Sequence, residues 1–271
     1  MASEPIRGGQ TDVPEFYRTC AMFYDRDYAE ILREGIDFYV ALGMEFGGPA
    51  LEMGCGTGRV LLPTARAGIT ICGMELSADM IDVLRRSLAV EPEEVRGRTR
   101  LVHGDIRCDY ADSSFPLITA PFRVVQHLLE PEDQHAWLRN VRRHLAPKGC
   151  LCFDVFQFDP QYVTGPGAAN VTINRMEPET GYRVRRFDTV ISYPERQILE
   201  IRLAWVKENA AGERISSTKA SCSLRWYTAG ELRDLLATEG YEITDYWGDF
   251  DRSPFGPTSP HQIIRARLRA E

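Results

Sequence analysis

The sequence predicts a doubly wound α/β fold with an N-terminal helical lid and an antiparallel β insertion. Three observations carry that prediction. Apolar runs of strand length alternate with helix-length segments from Pro49 to Phe156, the pattern of a parallel sheet with crossover helices. The first run ends in glycines at alternate positions, Gly54, Gly56 and Gly58, with a helix-like stretch directly behind them. After Asn174 the apolar period changes to two. Leu199, Ile201, Leu203 and Trp205 alternate with Glu200, Arg202 and Ala204, as in half-buried antiparallel strands.

Taken in order, Met1–Pro14 is polar and bears glycine and proline, as expected of a mobile end. Helical spacing begins at Glu15: Phe16, Cys20 and Phe23 recur, and Tyr17 and Tyr24 share a face. A second helix is expected over Tyr28–Leu42, ending near Gly43. Core strands are expected at Pro49–Met53, Ile69–Met74, Arg100–His103, Phe115–Ala120 and Cys150–Phe156. The helices between them are Arg59–Arg66, Ala78–Leu88 and Glu132–Leu145. Pro63 should bend the first of these slightly. Pro131 suits a first helical position, with Glu132 and Asp133 favourably placed in the first turn.

Pro147-Lys148-Gly149 marks a turn, and 159–174 is a Gly/Pro/Asn-rich passage. Tyr182–Tyr193 and Ile215–Trp226 flank the alternating strand, with turns at Pro194-Glu195 and Ala211-Gly212. Thr228-Ala229-Gly230-Glu231 forms a capping box for a helix over Glu231–Glu239. Tyr241–Trp247 and His261–Leu268 read as a closing strand pair. The expected division is a lid at 1–48, a cofactor-binding core at 49–158, an antiparallel insertion at 159–225, and the end of the core at 226–271. The insertion would serve as a substrate wall, a homodimer surface, or both.

Composition narrows the function. The net charge of −7 argues against a general electrostatic grip on nucleic acid. Only Lys148, Lys207 and Lys219 of the 32 basic residues are lysines, which fits a biased genome. The seven cysteines include no Cys-x-x-Cys pair, so they read as reduced thiols in a reducing compartment. No apolar run approaches the ~20 residues of a membrane span, and no signal pattern opens the chain. A soluble cytoplasmic protein without a metal site is expected.

The glycine loop specifies chemistry. Glycine permits φ > 0 and leaves bare backbone for a ligand, and the helix start suits an anion. A dinucleotide fingerprint would have its third glycine where Arg59 stands, and the Gly-Lys-Ser/Thr of a phosphate loop is absent. The second strand ends at Glu75, whose carboxylate can accept both hydroxyls of a ribose. The third ends in Gly104-Asp105-Ile106, where the acid can accept from an adenine amino group and Ile106 can lie on the base. These strand tips together specify an adenosine carrying something other than a pyrophosphate.

On these residues the sequence resembles the class I S-adenosylmethionine (SAM) methyltransferases, strongly over Pro49–Phe156 and loosely elsewhere. Glu52-x-Gly54-x-Gly56-x-Gly58 resembles the family's first motif, Glu75 its ribose acid, and Gly104-Asp105-Ile106 its adenine-side motif. The stretch Gly73–Met80 is similar to the corresponding part of nucleotide-sugar N,N-dimethyltransferases. The resemblance implies a Rossmann-like methyltransferase sheet, SAM as cofactor and S-adenosylhomocysteine as product. It implies cofactor contacts from Tyr17, Tyr24, Gly54, Cys55, Gly56, Thr57, Glu75, Leu76, Met80, Asp105, Ile106 and Ala120. Tyr17 and Tyr24 would lie on a lid helix over the methionine end; ordinary core packing is the competing reading. Arg123–Leu128 resembles a segment near the acceptor in aminosugar N-methylating relatives, which makes His127 the candidate base; a positioning hydrogen bond or a structural histidine is the competing reading.

Methyl transfer from a sulfonium is an in-line displacement in which the protein supplies alignment and desolvation. Arg123 is a candidate for an anionic substrate group. Asp249, Asp251 and Arg252, in the loop Gly248–Pro260, are further substrate candidates, provided that Tyr241–Trp247 runs parallel to the core strands; a solvated surface loop is the competing reading. The Asp/Asn-Pro-Pro-aromatic tetrad of nucleobase amino methyltransferases is absent; Thr119-Ala120-Pro121-Phe122 stands in its place. The expected function is methylation of nitrogen or oxygen on a small-molecule acceptor, without nucleic-acid or membrane partners. A nicotinamide-dependent oxidoreductase and a non-catalytic SAM-binding module are the alternatives.

Overall fold

The core strands assemble into one seven-stranded sheet in the computed structural model, which describes residues 12–28, 33–109, 111, 113–165 and 168–270. Helices α1 (Asp12–Tyr28) and α2 (Arg33–Phe46) precede it. The chain continues through β1 (Ala50–Met53), α3 (Leu61–Arg66), β2 (Ile71–Glu75), α4 (Ala78–Ala89), α5 (Glu93–Gly97) and β3 (Thr99–His103). It then forms β4 (Phe115–Ala120), α6 (Pro131–His144) and β5 (Leu145–Phe156). A separate antiparallel sheet holds β6 (Asn170–Met176), β7 (Arg183–Tyr193), β8 (Ile198–Glu208) and β9 (Arg214–Arg225). Helix α7 (Ala229–Thr238), β10 (Tyr241–Trp247) and β11 (His261–Leu268) return the chain to the first sheet.

The large sheet has the order β10-β11-β5-β4-β1-β2-β3. Strands β3, β2, β1, β4 and β5 pair in parallel. β11 is antiparallel to β5, and β10 to β11, so β10 points the same way as the parallel strands. The tips Met53, Glu75, His103, Ala120, Phe156 and Trp247 therefore share one rim, where open α/β sheets bind ligands.

Apolar residues cover both faces of this sheet, as parallel strands require. Trp137, Leu138 and Val141 of α6 pack with Leu232 and Leu236 of α7 in one cluster. Leu61, Leu62 and Ala65 of α3 pack with Phe38, Tyr39 and Leu42 of α2 in the other. Helix α1 sends Phe16 and Cys20 against Val184, Leu203, Trp205, Cys222 and Leu224 of the antiparallel sheet. A polar latch holds the end of that helix: Trp205 Nε1 donates to Asp27 at 2.7 Å, and Arg175 and Arg186 form ion pairs with the same carboxylate. Shared partners of both kinds are what let a buried carboxylate stay in place.

Several boundaries differ from expectation, each for a local reason. Residues 1–11 lie outside the described residues, but Asp12–Pro14 already belong to α1; Pro14 falls in the first turn, where no N–H is needed. Residues 29–32 also lie outside the described residues. Tyr28 closes α1, and α2 runs on to Phe46. Gly43 is inside α2 because a Cβ there would come within 3.1 Å of Thr64 Cγ2; it allows close packing rather than stopping the helix. Helix α3 starts at Leu61, two residues late, so Pro63 sits in its first turn and bends nothing. α5 and β6 formed where no element was expected. Lys148 takes φ 64° in the expected turn, a conformation that favours glycine. Among the described residues, no helix is long and apolar enough to cross a membrane.

Candidate active site

Gly54, Gly56 and Gly58 all adopt positive φ, at 72°, 53° and 88°, but their surroundings differ. A Cβ on Gly54 would lie 2.5 Å from Val124 Cγ2, and one on Gly58 2.4 Å from Leu84 Cδ1. Those two glycines allow the loop to press on its neighbours. At Gly56 the nearest atom is Met80 Cε, 3.9 Å away. Gly56 opens onto a cavity that a side chain would begin to fill.

The cavity lies at the rim of β1, β2 and β3. Its walls include Tyr17, Tyr24, Gly54, Cys55, Gly56, Thr57, Glu75, Leu76, Met80, Asp105, Ile106 and His127. Ala120 is not among them. It is fully buried in the core, paired in register with Phe153; the chain turns only after it, so Pro121, Phe122 and Val124 form that wall instead.

Three carboxyls line this space, those of Glu52, Glu75 and Asp105. Glu75 Oε2 accepts from Gly56 N–H at 2.9 Å, and its Oε1 accepts from Ser77 N–H at 2.8 Å. Burial raises the Glu75 pKa, and those N–H donors oppose the rise. Glu52 was not anticipated as a wall residue. It is buried, its Oε2 has no hydrogen-bond partner among the described residues, and burial followed by the charge of Glu75 holds its pKa well above the carboxylate range. One sequence signal could have found it: an acid inside the apolar run Ala50–Met53 is anomalous unless something pairs with it. Asp105 is already engaged, with Arg107 Nη2 at 2.7 Å and Arg107 Nε at 3.1 Å from both oxygens.

Helix α1 covers the cavity. Thr57 Oγ1 donates to Asp25 on that helix. Tyr17 Oη and His127 Nε2 share a hydrogen bond of 2.9 Å. The Arg59 guanidinium lies 4.9 Å from the Phe122 ring and 5.8 Å from Tyr24 and Tyr28. His127 Nδ1 is buried without a partner among the described residues. Burial and then the Arg123 charge pull the His127 pKa down to about 4, so the ring is neutral at pH 7.

The segment after β4 separates this cavity from a second space. Phe122 and Arg123 adopt φ 57° and 73°, a strained conformation for such side chains. Phe122 N–H donates to Asp154 at 2.7 Å, which fixes the turn. Phe122 then lines the cavity, whereas Arg123 lines a groove of about 630 Å³ bounded by 156–161, β8, β9 and 257–261.

The loop 248–260 reaches the rim, as the direction of β10 requires, but Asp249, Asp251 and Arg252 line neither space. Asp249 accepts from Phe250 N–H and Asp251 from Ser253 N–H, each at 2.8 Å. Arg252 pairs with Glu45 at 3.2 Å. Phe250 is what turns inward, packing on Phe38, Phe122 and His261. Burying that ring decides the loop's orientation and leaves the charges outside. Among the described residues, no group of three or more His, Cys, Asp or Glu is arranged to hold a metal.

Residues 50–149 match the methyltransferase domain family. The chain is 25% identical over 228 residues to the cypemycin N-terminal methyltransferase of Streptomyces sp, across 80% of this chain and 82% of that protein. It is 32% identical over 119 residues to dTDP-3-amino-3,6-dideoxy-alpha-D-glucopyranose N,N-dimethyltransferase of Streptomyces fradiae, across 44% of each. The chain carries a methyltransferase domain and is a SAM-dependent methyltransferase.

The methyltransferase shares its fold with CcbJ from Streptomyces caelestis, with TM-score 0.78 and 23% identity, over 94% of this chain and 98% of that one. It likewise resembles SAM-bound CalS10, an amino pentose methyltransferase from Micromonospora echinaspora, with TM-score 0.67 and 22% identity, over 92% and 96% of the two chains. The methyltransferase's own residues fit SAM. Gly56 leaves the cradle open, and Glu52 presents an orphan buried carboxyl to a ligand that carries positive charge.

Proposed function

We propose that the enzyme transfers the SAM methyl group to an amino nitrogen of a small-molecule acceptor. The observation that carries this reading is the neutral, half-buried His127 at the cavity wall, whose Nδ1 is buried. With a pKa of about 4 it is too weak a base to draw a proton from an alcohol or phenol as the new bond forms. An unprotonated amine brings its own lone pair and needs no such base. Two relatives support the same direction by name, an N-terminal methyltransferase and an amino-sugar N,N-dimethyltransferase, whereas a third is named as an O-methyltransferase and matches over a shorter stretch, 105 residues.

In this reading Glu75 holds the ribose, Met80 and Ile106 flank the adenine, and Asp105 takes its amino group. Backbone at Cys55 and Thr57 faces the methionyl part, and Glu52 meets its ammonium. SAM supplies an activated methyl on a sulfonium. Tyr17 and Tyr24 exclude water from the methionine end, and the Tyr17–His127 hydrogen bond holds the imidazole on the acceptor side. The antiparallel sheet forms the acceptor wall.

The test is incubation with SAM and paired panels of amines and hydroxyl compounds, with products identified by mass spectrometry. Methylation confined to nitrogen supports the reading. Methylation of hydroxyls at comparable rates overturns it.

A further inference from the structure

We propose that the acceptor lies in the groove beside the cofactor cavity and that Arg123 selects acceptors bearing an oxyanion close to the reacting nitrogen. The proposal deepens the reading above and rests on it. The juxtaposition is specific: one short segment sends Phe122, Val124 and His127 into the cavity and Arg123 into the groove. A ligand in the groove with its anion on Arg123 would have its near end at the wall that His127 shares.

The walls of the groove set the rest of the ligand's chemistry. Val163, Val190, Leu199, Ile201 and Phe158 give it an apolar body. Asp159, its carboxylate, is turned onto Gln161, accepting from that residue's N–H at 2.9 Å. His261 also borders the groove; its Nδ1 is buried without a partner among the described residues. Arg123 is exposed, and its guanidinium stands 5.1 Å over the Phe156 ring. None of the hydrogen bonds or ion pairs among the described residues employs that guanidinium; the residue's main-chain carbonyl accepts from Gln126 N–H at 2.9 Å. An arginine held over an aromatic face keeps its fork of donors free for a carboxylate or phosphate.

Backbone conformation is the second, independent observation. Arginine gains nothing from φ 73°; glycine or asparagine would occupy that position with less strain. A strained residue whose guanidinium forms no ion pair among the described residues and points into a groove is best explained by what it does there.

The experiment uses the full chain loaded with S-adenosylhomocysteine. Calorimetry compares 4-(aminomethyl)benzoate, its phosphonate analogue and the neutral 4-(aminomethyl)benzamide. The oxyanion probes should bind about tenfold tighter than the amide, the value of one charge-assisted hydrogen bond. The preferred anion of the two identifies the oxyanion type. Arg123→Asn, which tolerates this φ, should bring the ratio to about one, with a melting temperature no lower and cofactor affinity unchanged. Val163→Asp should weaken the oxyanion probes more than the amide, because it adds charge repulsion to the loss of apolar contact that all three share. Equal binding of amide and carboxylate, no binding of any probe, or a preference that survives Arg123→Asn would each overturn the proposal. An Arg123-dependent preference without methylation of any amine would uphold the oxyanion site and overturn the N-methylation reading.

Discussion

Glu52→Gln should make the free enzyme more stable and its cofactor binding weaker, because Glu52 is a buried acid awaiting a cation. Glu52 is only 2% exposed, its Oε2 has no partner among the described residues, and Glu75 is its principal charged neighbour. Its folded pKa lies well above the unfolded one, so its contribution is fully present below the unfolded pKa. That contribution is lost as pH rises towards the folded pKa. At neutral pH the free protein therefore carries a penalty that a glutamine, having no proton to lose, avoids; each pKa unit involved corresponds to about 1.4 kcal/mol. When the methionyl ammonium binds, the carboxylate gains its missing partner. A hydrogen bond to a charged group contributes roughly 1.5–3 kcal/mol, so the variant should bind SAM about 10- to 150-fold more weakly. Urea unfolding of the free protein and calorimetry with SAM measure the two effects separately. A variant that is less stable when free, or one that binds SAM as tightly as the parent, would refute the reasoning.

Four further outcomes follow from the same geometry. Glu75→Ala should weaken SAM by roughly 1–3 kcal/mol, read by calorimetry, since the ribose acid and its ties to Gly56 and Ser77 are lost together; unchanged affinity would remove it from the site. Gly56→Val should abolish SAM binding while the far-ultraviolet circular dichroism stays native, whereas Gly54→Val should unfold the loop against Val124 Cγ2, 2.5 Å from the new Cβ. His127→Ala should retain SAM affinity and lower turnover without abolishing it, as loss of a positioning group does, and normal turnover would retire it. The depressed His127 pKa of about 4 gives native stability that is present above the unfolded pKa near 6.5. It falls as pH drops towards 4, by at most about 3 kcal/mol; His127→Gln should flatten that part of the stability–pH curve.

Much of the core was legible because a βα unit is local. Period, turn residues and caps act over a few residues, so the strands from Ala50 to Phe156 and the acids at their tips could be read in order. The cofactor followed from the same tips, since Gly56, Glu75 and Asp105 line one cavity. Gly43 shows the limit of that reading: it looked like a helix stop, but contact with Thr64 from another element made it an interior residue.

What the sequence by itself determined was the doubly wound sheet, its glycine loop and the adenosyl chemistry of its rim, because nearest-neighbour preferences and strand polarity suffice for those. Only the tertiary structure decided which distant side chains meet. Tyr17 reaches His127 across 110 positions because α1 packs on the antiparallel sheet and is latched through Asp27. Phe250 rather than Asp249, Asp251 or Arg252 turns inward, because a ring gains more from burial than a charge can. Arg123 faces the groove, and not the cavity, because two consecutive residues take a backbone conformation that no periodicity announces.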